Sequence, residues 1–249
     1  MPRFFVTPDQ VQGNSIIVTG PEAHHIKRVL RLGPGDIITL LDGRGNLYES
    51  RIESVAGGSV NCLVLRRGQA GGEPPLRVVL VQGLAKGDRM DTVIQKGTEL
   101  GAAAFWPVFC KRSVVRLDDS KKAVRMERWQ RIAVGAAQQC RRALVPGVAE
   151  PLEWSCALDN IPPGALVLIP WEEECGLTLK EVLRSRPRPD EVYVLIGPEG
   201  GLEQQEVEAA RRRGGIPVTL GPRILRTETA GPAALAMILY HWGDLGGNP

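Results

Sequence analysis

The chain is short of the residues that many enzyme classes depend on. Its 249 residues include three histidines, His24, His25 and His241, too few for a histidine-built metal cluster or a Ser-His-Asp nucleophile system. Metal-assisted hydrolysis and acyl transfer drop in rank, and no metal is expected. Five cysteines (Cys62, Cys110, Cys140, Cys156 and Cys175) stand far apart, with an odd total and no C-x-x-C pair. Neither a disulfide framework nor a zinc site is encoded, and a reducing compartment fits. No stretch approaches the roughly 18 to 20 apolar residues of a membrane span, and the start, "MPRFFVTPDQ", lacks a signal peptide's apolar core. The expected location is the cytoplasm, without a membrane partner.

What is present suits an ordinary globular protein: 43% apolar residues supply a core for one large or two modest domains. The net charge of +3 hides an asymmetry. Residues 110 to 142 carry ten Lys or Arg against three acids, a local excess of +7, whereas residues 143 to 249 balance at −6. That pattern fits a polyanion approaching one region or a solvated, charge-laced helix, and charge alone does not separate the two.

Residues 1 to 67 read as short strands. "SIIVTG", "DIITLLDGRGNLYESRI" and "SVNCLVL" alternate or run apolar, with turn chemistry at Asp42-Gly43 and Gly57-Gly58. A small β-barrel is expected, interrupted by one helix over "PEAHHIKRVLRL" with Ala23, Ile26, Val29 and Leu30 on its apolar face. "GQAGGEPP", residues 68 to 75, has linker composition and marks a boundary, with domains over 1–70 and 71–249. Beyond it strands and helices alternate. Helical spacing predicts helices near 88–100 and 122–142, and "ALVLI", "EVYVLIG" and "IPVTL" are the near-continuous apolar runs of parallel strands covered on both faces. The second domain is therefore α/β.

Three of its strands lead into distinctive loops, "PWEEECG", "GPEGGLE" and "GPRILRTETAG". In open parallel sheets ligands gather beyond the carboxyl ends of strands, so three such loops point to one crevice. The glycines of "LIGPEGGLE" suit close backbone approach, but their spacing is neither G-x-G-x-x-G nor G-K-[ST], which weakens dinucleotide and ATP readings. In "LGPRILRTETAGPAALAMIL", Pro232 suits the first turn of an apolar helix, and Arg226, Thr227, Glu228 and Thr229 precede it. Two Thr, a Glu and two Arg exceed what a helix cap requires. "GLAKGDRMDTVIQKGTELGA" reads by itself as a solvent-facing helix, and His24-His25 beside Lys27, Arg28 and Arg31 as a phosphate-contacting face or a plain basic surface.

Together, "AHHIKRVLR", "KGDRMDTVIQKGTELG", "RWQRIAVGAAQQCRR", "LIGPEGGL" and "LGPRILRTETA" resemble the bacterial RsmE-type methyltransferases over nearly the full chain. The resemblance implies methylation of N3 of a uridine in 16S ribosomal RNA of the small subunit, with S-adenosylmethionine as donor. It implies an α/β protein with an N-terminal PUA-like β-barrel, a SPOUT domain ending in a trefoil knot, and a homodimer. Knots are too rare for composition or periodicity to reveal one. One segment departs from the family pattern: "QQCRR" stands where the pattern reads nearer "EQCGR".

By that resemblance the cofactor is held by Pro170 after the first strand and by Ile196, Gly197, Pro198, Gly200 and Gly201 after the second. Leu220, Gly221, Ile224 and Leu225, then Thr227, Thr229 and Ala230, complete the pocket. RNA is expected to meet Arg3, His24, His25, Arg28 and Arg31 in the first domain, and Lys86, Lys96, Arg128 and Arg131 in the second. Uracil N3 is a weak nucleophile while protonated, so the site must displace that proton and stabilise charge on the ring carbonyls. Arg226 is the candidate for that stabilisation, with Glu199 or Glu228 organising the site. The competing readings are another knotted RNA methyltransferase, a noncatalytic RNA-binding protein and, most weakly, a nicotinamide oxidoreductase, which would need a glycine fingerprint where "VQGLAKGD" stands.

Overall fold

The computed structural model describes residues 1–247, which form two compact units. The first comprises Met1–Glu73 with Ala137–Val145. Its six strands hydrogen-bond in the order Arg3–Phe5, Ile37–Leu41, Asn46–Ala56, Ser59–Gln69, Ser15–Val18 and Val11–Gln12. The two outer strands do not pair with each other, so the expected barrel is a sheet left open along one seam. Those edge strands have three and two residues, too few to zip the seam closed. Alternation does place Ile16 and Val18, Ile38 and Leu40, and Val60 and Cys62 on one buried face. The turn at Gly57-Gly58 has φ of 57° and 83°, the paired positive values that a two-residue hairpin of this twist demands.

The helix in this unit differs from its expected form. Gly20–His24 is α-helical, but His25–Val29 widens into a π-helical turn, with the Leu30 amide reaching the His25 carbonyl at 3.0 Å. The wider turn breaks the 3.6-residue period after Ile26. Ala23 and Ile26 are buried accordingly, whereas Val29 is 61% exposed and Leu30 41% exposed, contrary to the shared face expected.

The second unit, Pro74–Ala136 with 146–249, holds a parallel sheet. Its strands run in the order Leu152–Glu153, Ala104–Phe109, Arg77–Gly83, Glu191–Ile196, Leu166–Pro170 and Ile216–Val218, with Gly147–Val148 also pairing Ala104–Phe109. The apolar runs are near-continuous because both faces are covered. Val79, Val81, Val167, Ile169, Tyr193 and Leu195 meet Trp154, Leu158 and Val207 on one side. Helices Arg89–Leu100 and Thr227–Trp242 pack together, and the latter lies against strands Arg77–Gly83 and Glu191–Ile196. Among the described residues no helix is long and apolar enough to cross a membrane, and no three His, Cys, Asp or Glu side chains are grouped to hold a metal.

Candidate active site

The chain order in the parallel sheet reverses direction at the pair Arg77–Gly83 and Glu191–Ile196. From the first, the chain next visits Ala104–Phe109 on one side; the second was reached from Leu166–Pro170 on the other. The carboxyl ends at such a switch diverge and leave a crevice. Sequence requirements there are strict. A Cβ on Gly83 would stand 2.5 Å from the Pro198 backbone nitrogen and 2.8 Å from the Gly197 carbonyl carbon, so the two strand ends meet backbone to backbone. Gly201, with φ of 72°, provides the left-handed step that turns the loop back.

A buried polar chain ties this junction to the last helix. Gln82 Nε2 donates to Thr227 Oγ1 at 2.8 Å, and the Thr227 hydroxyl donates to the Gly197 carbonyl at 2.6 Å. Thr227 thus opens the helix and fixes the glycine loop with one side chain. Gln82 Oε1 is buried without a hydrogen-bond partner among the described residues. An unsatisfied buried acceptor costs about 1 to 3 kcal/mol, and this one faces the last helix, 3.2 Å from where a Cβ on Gly231 would stand.

The structure moves the start of that helix. Thr227–Trp242 begins five residues before Pro232, with Arg226 as its N-cap, so Pro232 lies inside the helix and not in its opening turn. Pro232 has no N–H to donate to the Glu228 carbonyl. The first turn is held instead by the Thr229 and Ala230 amides, which both donate to the Arg226 carbonyl at 2.8 Å.

Three charged side chains gather beyond these strand ends. Glu199 accepts from the Lys86 amide at 2.7 Å and from Arg89 Nη1 at 2.7 Å. Arg89 Nε also lies 3.5 Å from Glu228 Oε2, an ion pair rather than a hydrogen bond. Arg89 therefore bridges the two carboxylates proposed as site organisers. Burial pushes the Glu199 carboxyl up, but the Lys86 amide and the Arg89 guanidinium outweigh it and hold the group below its ordinary value. Arg89 was legible only as part of a solvent-facing helix, because its partners arrive from elsewhere in the chain. Arg112 adds a second brace, donating from Nη1 to the Gly200 carbonyl at 3.0 Å.

The remaining candidates divide. Ile196, Gly197 and Pro198 are buried, Pro170, Gly201, Leu220, Leu225 and Ala230 are half-buried, and Gly200, Gly221 and Thr229 are exposed at the strand-end loops. Ile224 is 86% exposed, an apolar side chain that the described residues leave uncovered. Arg226 is exposed and its side chain makes no ion pair among the described residues. The exposed Ile224, the half-buried Leu220 and Leu225, and the close backbone approach that the glycines permit fit an adenosine and a methionine moiety.

The cationic candidates are less uniform than the sequence implied. Arg3, His24, His25, Arg28 and Arg31 are all exposed in the first unit. In the second, Lys86 and Arg131 are exposed, but Lys96 pairs with Glu99 at 2.9 Å and Arg128 pairs with Asp91. The Arg128–Asp91 pair offsets part of the positive excess of residues 110 to 142.

Comparison with known proteins completes the assignment. Residues 72–239 match the RNA methyltransferase domain family, and residues 18–65 match the RNA methyltransferase PUA domain family. The chain is 37% identical to the ribosomal RNA small subunit methyltransferase E of Bacillus subtilis (strain 168), over 100% of both proteins. The solved structure of the enzyme of that name from Neisseria gonorrhoeae, bound to S-adenosyl methionine, is 36% identical and superposes with a TM-score of 0.88, covering 98% of this chain and 99% of that one. A Legionella pneumophila methyltransferase structure with bound cofactor SAM is 31% identical, with a TM-score of 0.86 over 98% of each chain. This chain belongs to the ribosomal RNA small subunit methyltransferase E family.

Proposed function

We propose that the protein transfers a methyl group from S-adenosylmethionine to N3 of an unpaired uridine in 16S ribosomal RNA of the small subunit. The observation that carries this reading is the convergence of the glycine loop, the Thr227 helix start and the Arg89 bridge at the sheet's switch point, in a chain of this family. When bound, the cofactor supplies an electrophilic methyl group on a sulfonium. Ile196 to Gly201 and Leu220 to Ala230, with Pro170, hold it, largely through backbone groups. Arg226, which makes no ion pair among the described residues, orients the uracil and stabilises charge spreading to its carbonyls. Glu199 and Glu228, spaced by Arg89, organise the surrounding loops. Because N3 lies on the pairing edge, the target base must be unpaired or extruded before it reacts.

The same reading assigns RNA grip to residues 1–70 and methyl transfer to residues 71–249, a SPOUT domain with a C-terminal trefoil knot, acting as a homodimer in the cytoplasm. The return of helix Thr227–Trp242 onto strands Arg77–Gly83 and Glu191–Ile196 supports the knot. The outward side of that helix, with Tyr240 73% exposed beside Met237, supports a subunit interface.

Arg226→Ala should retain cofactor affinity, measured by calorimetry, and lose about a hundredfold or more in methyl transfer. Normal turnover with bound cofactor would remove Arg226 from the chemistry. For RNA, replacing both Arg28 and Arg31 with Ala should flatten the dependence of log affinity on log salt by about 0.7 to 0.9 for each phosphate that is no longer neutralised. Replacing Arg128 and Arg131 should change it less, because Arg128 already faces Asp91. Equal slopes in all variants, measured by anisotropy across a salt series, would exclude these groups from the RNA footprint.

A further inference from the structure

We propose that the first unit carries a phosphate pocket of its own, built on Arg3 and Arg141, which grips a backbone phosphate of the RNA away from the reacting base. The inference rests on RNA being the substrate. A cavity of about 300 Å³ is lined by Met1, Arg3, Thr39, Gln138, Gln139 and Arg141. All six belong to that unit, because the segment Ala137–Val145 folds with it. Strand register sets one wall, with Arg3 directly opposite Thr39. The last turn of helix Asp119–Cys140 and the residue after it set the other.

The lining contains two guanidiniums and no carboxylate, which selects an anion. It contains no aromatic ring, so it offers no platform on which a base would stack, and a phosphodiester fits better than a nucleobase. A helix C-terminus presents carbonyls, which repel anions, so the attraction must come from side chains. Arg3 meets part of that problem by donating from Nη1 to the Arg141 carbonyl at 3.2 Å.

Arg141 supplies the second guanidinium of the lining. Its φ is 65°, a left-handed backbone in which glycine is the ordinary choice and a bulky side chain is strained. The left-handed step closes helix Asp119–Cys140, with the Arg142 amide donating to the Ala137 carbonyl at 3.0 Å and the Arg141 amide to the Gln138 carbonyl at 3.3 Å, so it fixes where the Arg141 side chain leaves the helix end. The neighbouring Arg142 shows what a structural arginine looks like here: it is buried and pairs with Glu73 at 2.7 Å. Arg141 makes no ion pair among the described residues and lines the cavity instead.

The test compares full-length wild type, Arg141→Gly, Arg141→Lys and Arg3→Gln, binding a deproteinised 16S RNA fragment across a salt series. Arg141→Gly should weaken binding several-fold and reduce the salt slope by about 0.7 to 0.9, the share of one neutralised phosphate. Its thermal midpoint should stay level or rise, since glycine fits the backbone, and its S-adenosylmethionine affinity should not change. Arg141→Lys should keep the wild-type slope, and Arg3→Gln should lose it as Arg141→Gly does. Wild-type slope and affinity in Arg141→Gly would overturn the pocket. Titration with inorganic phosphate separates the sources: phosphate affinity that depends on Arg141, without any change in RNA binding, would overturn the RNA assignment. Wild-type protein that binds no RNA fails the functional reading itself, a result visible before any variant is compared.

Discussion

Gly83→Ala should weaken S-adenosylmethionine binding by about tenfold to a hundredfold, although the residue lies in a strand and offers no side chain to any ligand. The added Cβ would meet the Pro198 nitrogen at 2.5 Å and the Gly197 carbonyl carbon at 2.8 Å. Both are backbone atoms, and the Gly197 carbonyl is pinned by the Thr227 hydroxyl, so neither can swing aside as a flexible side chain would. The loop must be displaced from the position the cofactor needs. Overpacking of this kind costs about 1 to 3 kcal/mol in stability; where the displacement falls on binding, each 1.4 kcal/mol or so is tenfold in affinity. Gly135→Ala is the contrasting control. Its Cβ meets nothing within 4 Å in a helix interior, so the same chemical change should stabilise by about 0.5 to 1 kcal/mol. Calorimetric titration and thermal unfolding of the two variants read both effects, and wild-type cofactor affinity in Gly83→Ala would disprove the close-approach argument.

Arg89→Ala should lower the rate of methyl transfer about a hundredfold while leaving the fold and cofactor affinity nearly intact. The magnitudes separate the two effects. Arg89 and Glu199 are partly exposed, 37% and 30% by side chain, and an ion pair at that exposure contributes under about 1 kcal/mol to stability. Its geometric role is larger, since one guanidinium holds Glu199 and Glu228 on separate elements, and misplacement of a site group by about 1 Å can cost a hundredfold in rate. Arg89→Lys should not restore activity, because an ammonium cannot reach both carboxylates with a planar fork. The variant should also change the acid limb of stability. In the wild type the Glu199 carboxyl is depressed, so its contribution is present above the ordinary glutamate value of about 4.3 and is lost as pH falls through the lower folded value. Without Arg89 the folded value rises towards the ordinary one, and that acid-side contribution shrinks. Thermal midpoints across an acid series check the sign, and a steady-state comparison of kcat with KM for the cofactor checks the division.

The parallel sheet was legible because strands buried on both faces must be apolar throughout, and Leu166–Pro170 and Glu191–Ile196 are nearly so. The loops stood out for a related reason: those that leave such strands carry chemistry that packing does not require. Arg89 was not legible, because helical spacing reports only a residue's own face, and Glu199 reaches it from 110 positions away. Gly83 gave no signal either, since the atom it must avoid belongs to Pro198. Pro232 misled by its usual preference for a first turn, which Thr227 overrode by bonding to Gly197. The left-handed backbones of Arg31 and Arg141 have no sequence signature, because arginine does not advertise the conformation that glycine does.

The central claim is the position of the transferred methyl group. The protein should be incubated with isotopically labelled S-adenosylmethionine and either deproteinised or assembled small ribosomal subunits, and the labelled nucleoside identified by mass spectrometry. Label should fall on N3 of a single uridine in 16S ribosomal RNA, and at limiting cofactor it should appear far more slowly with Gly83→Ala. Label on a ring carbon, on a ribose or on transfer RNA would contradict it.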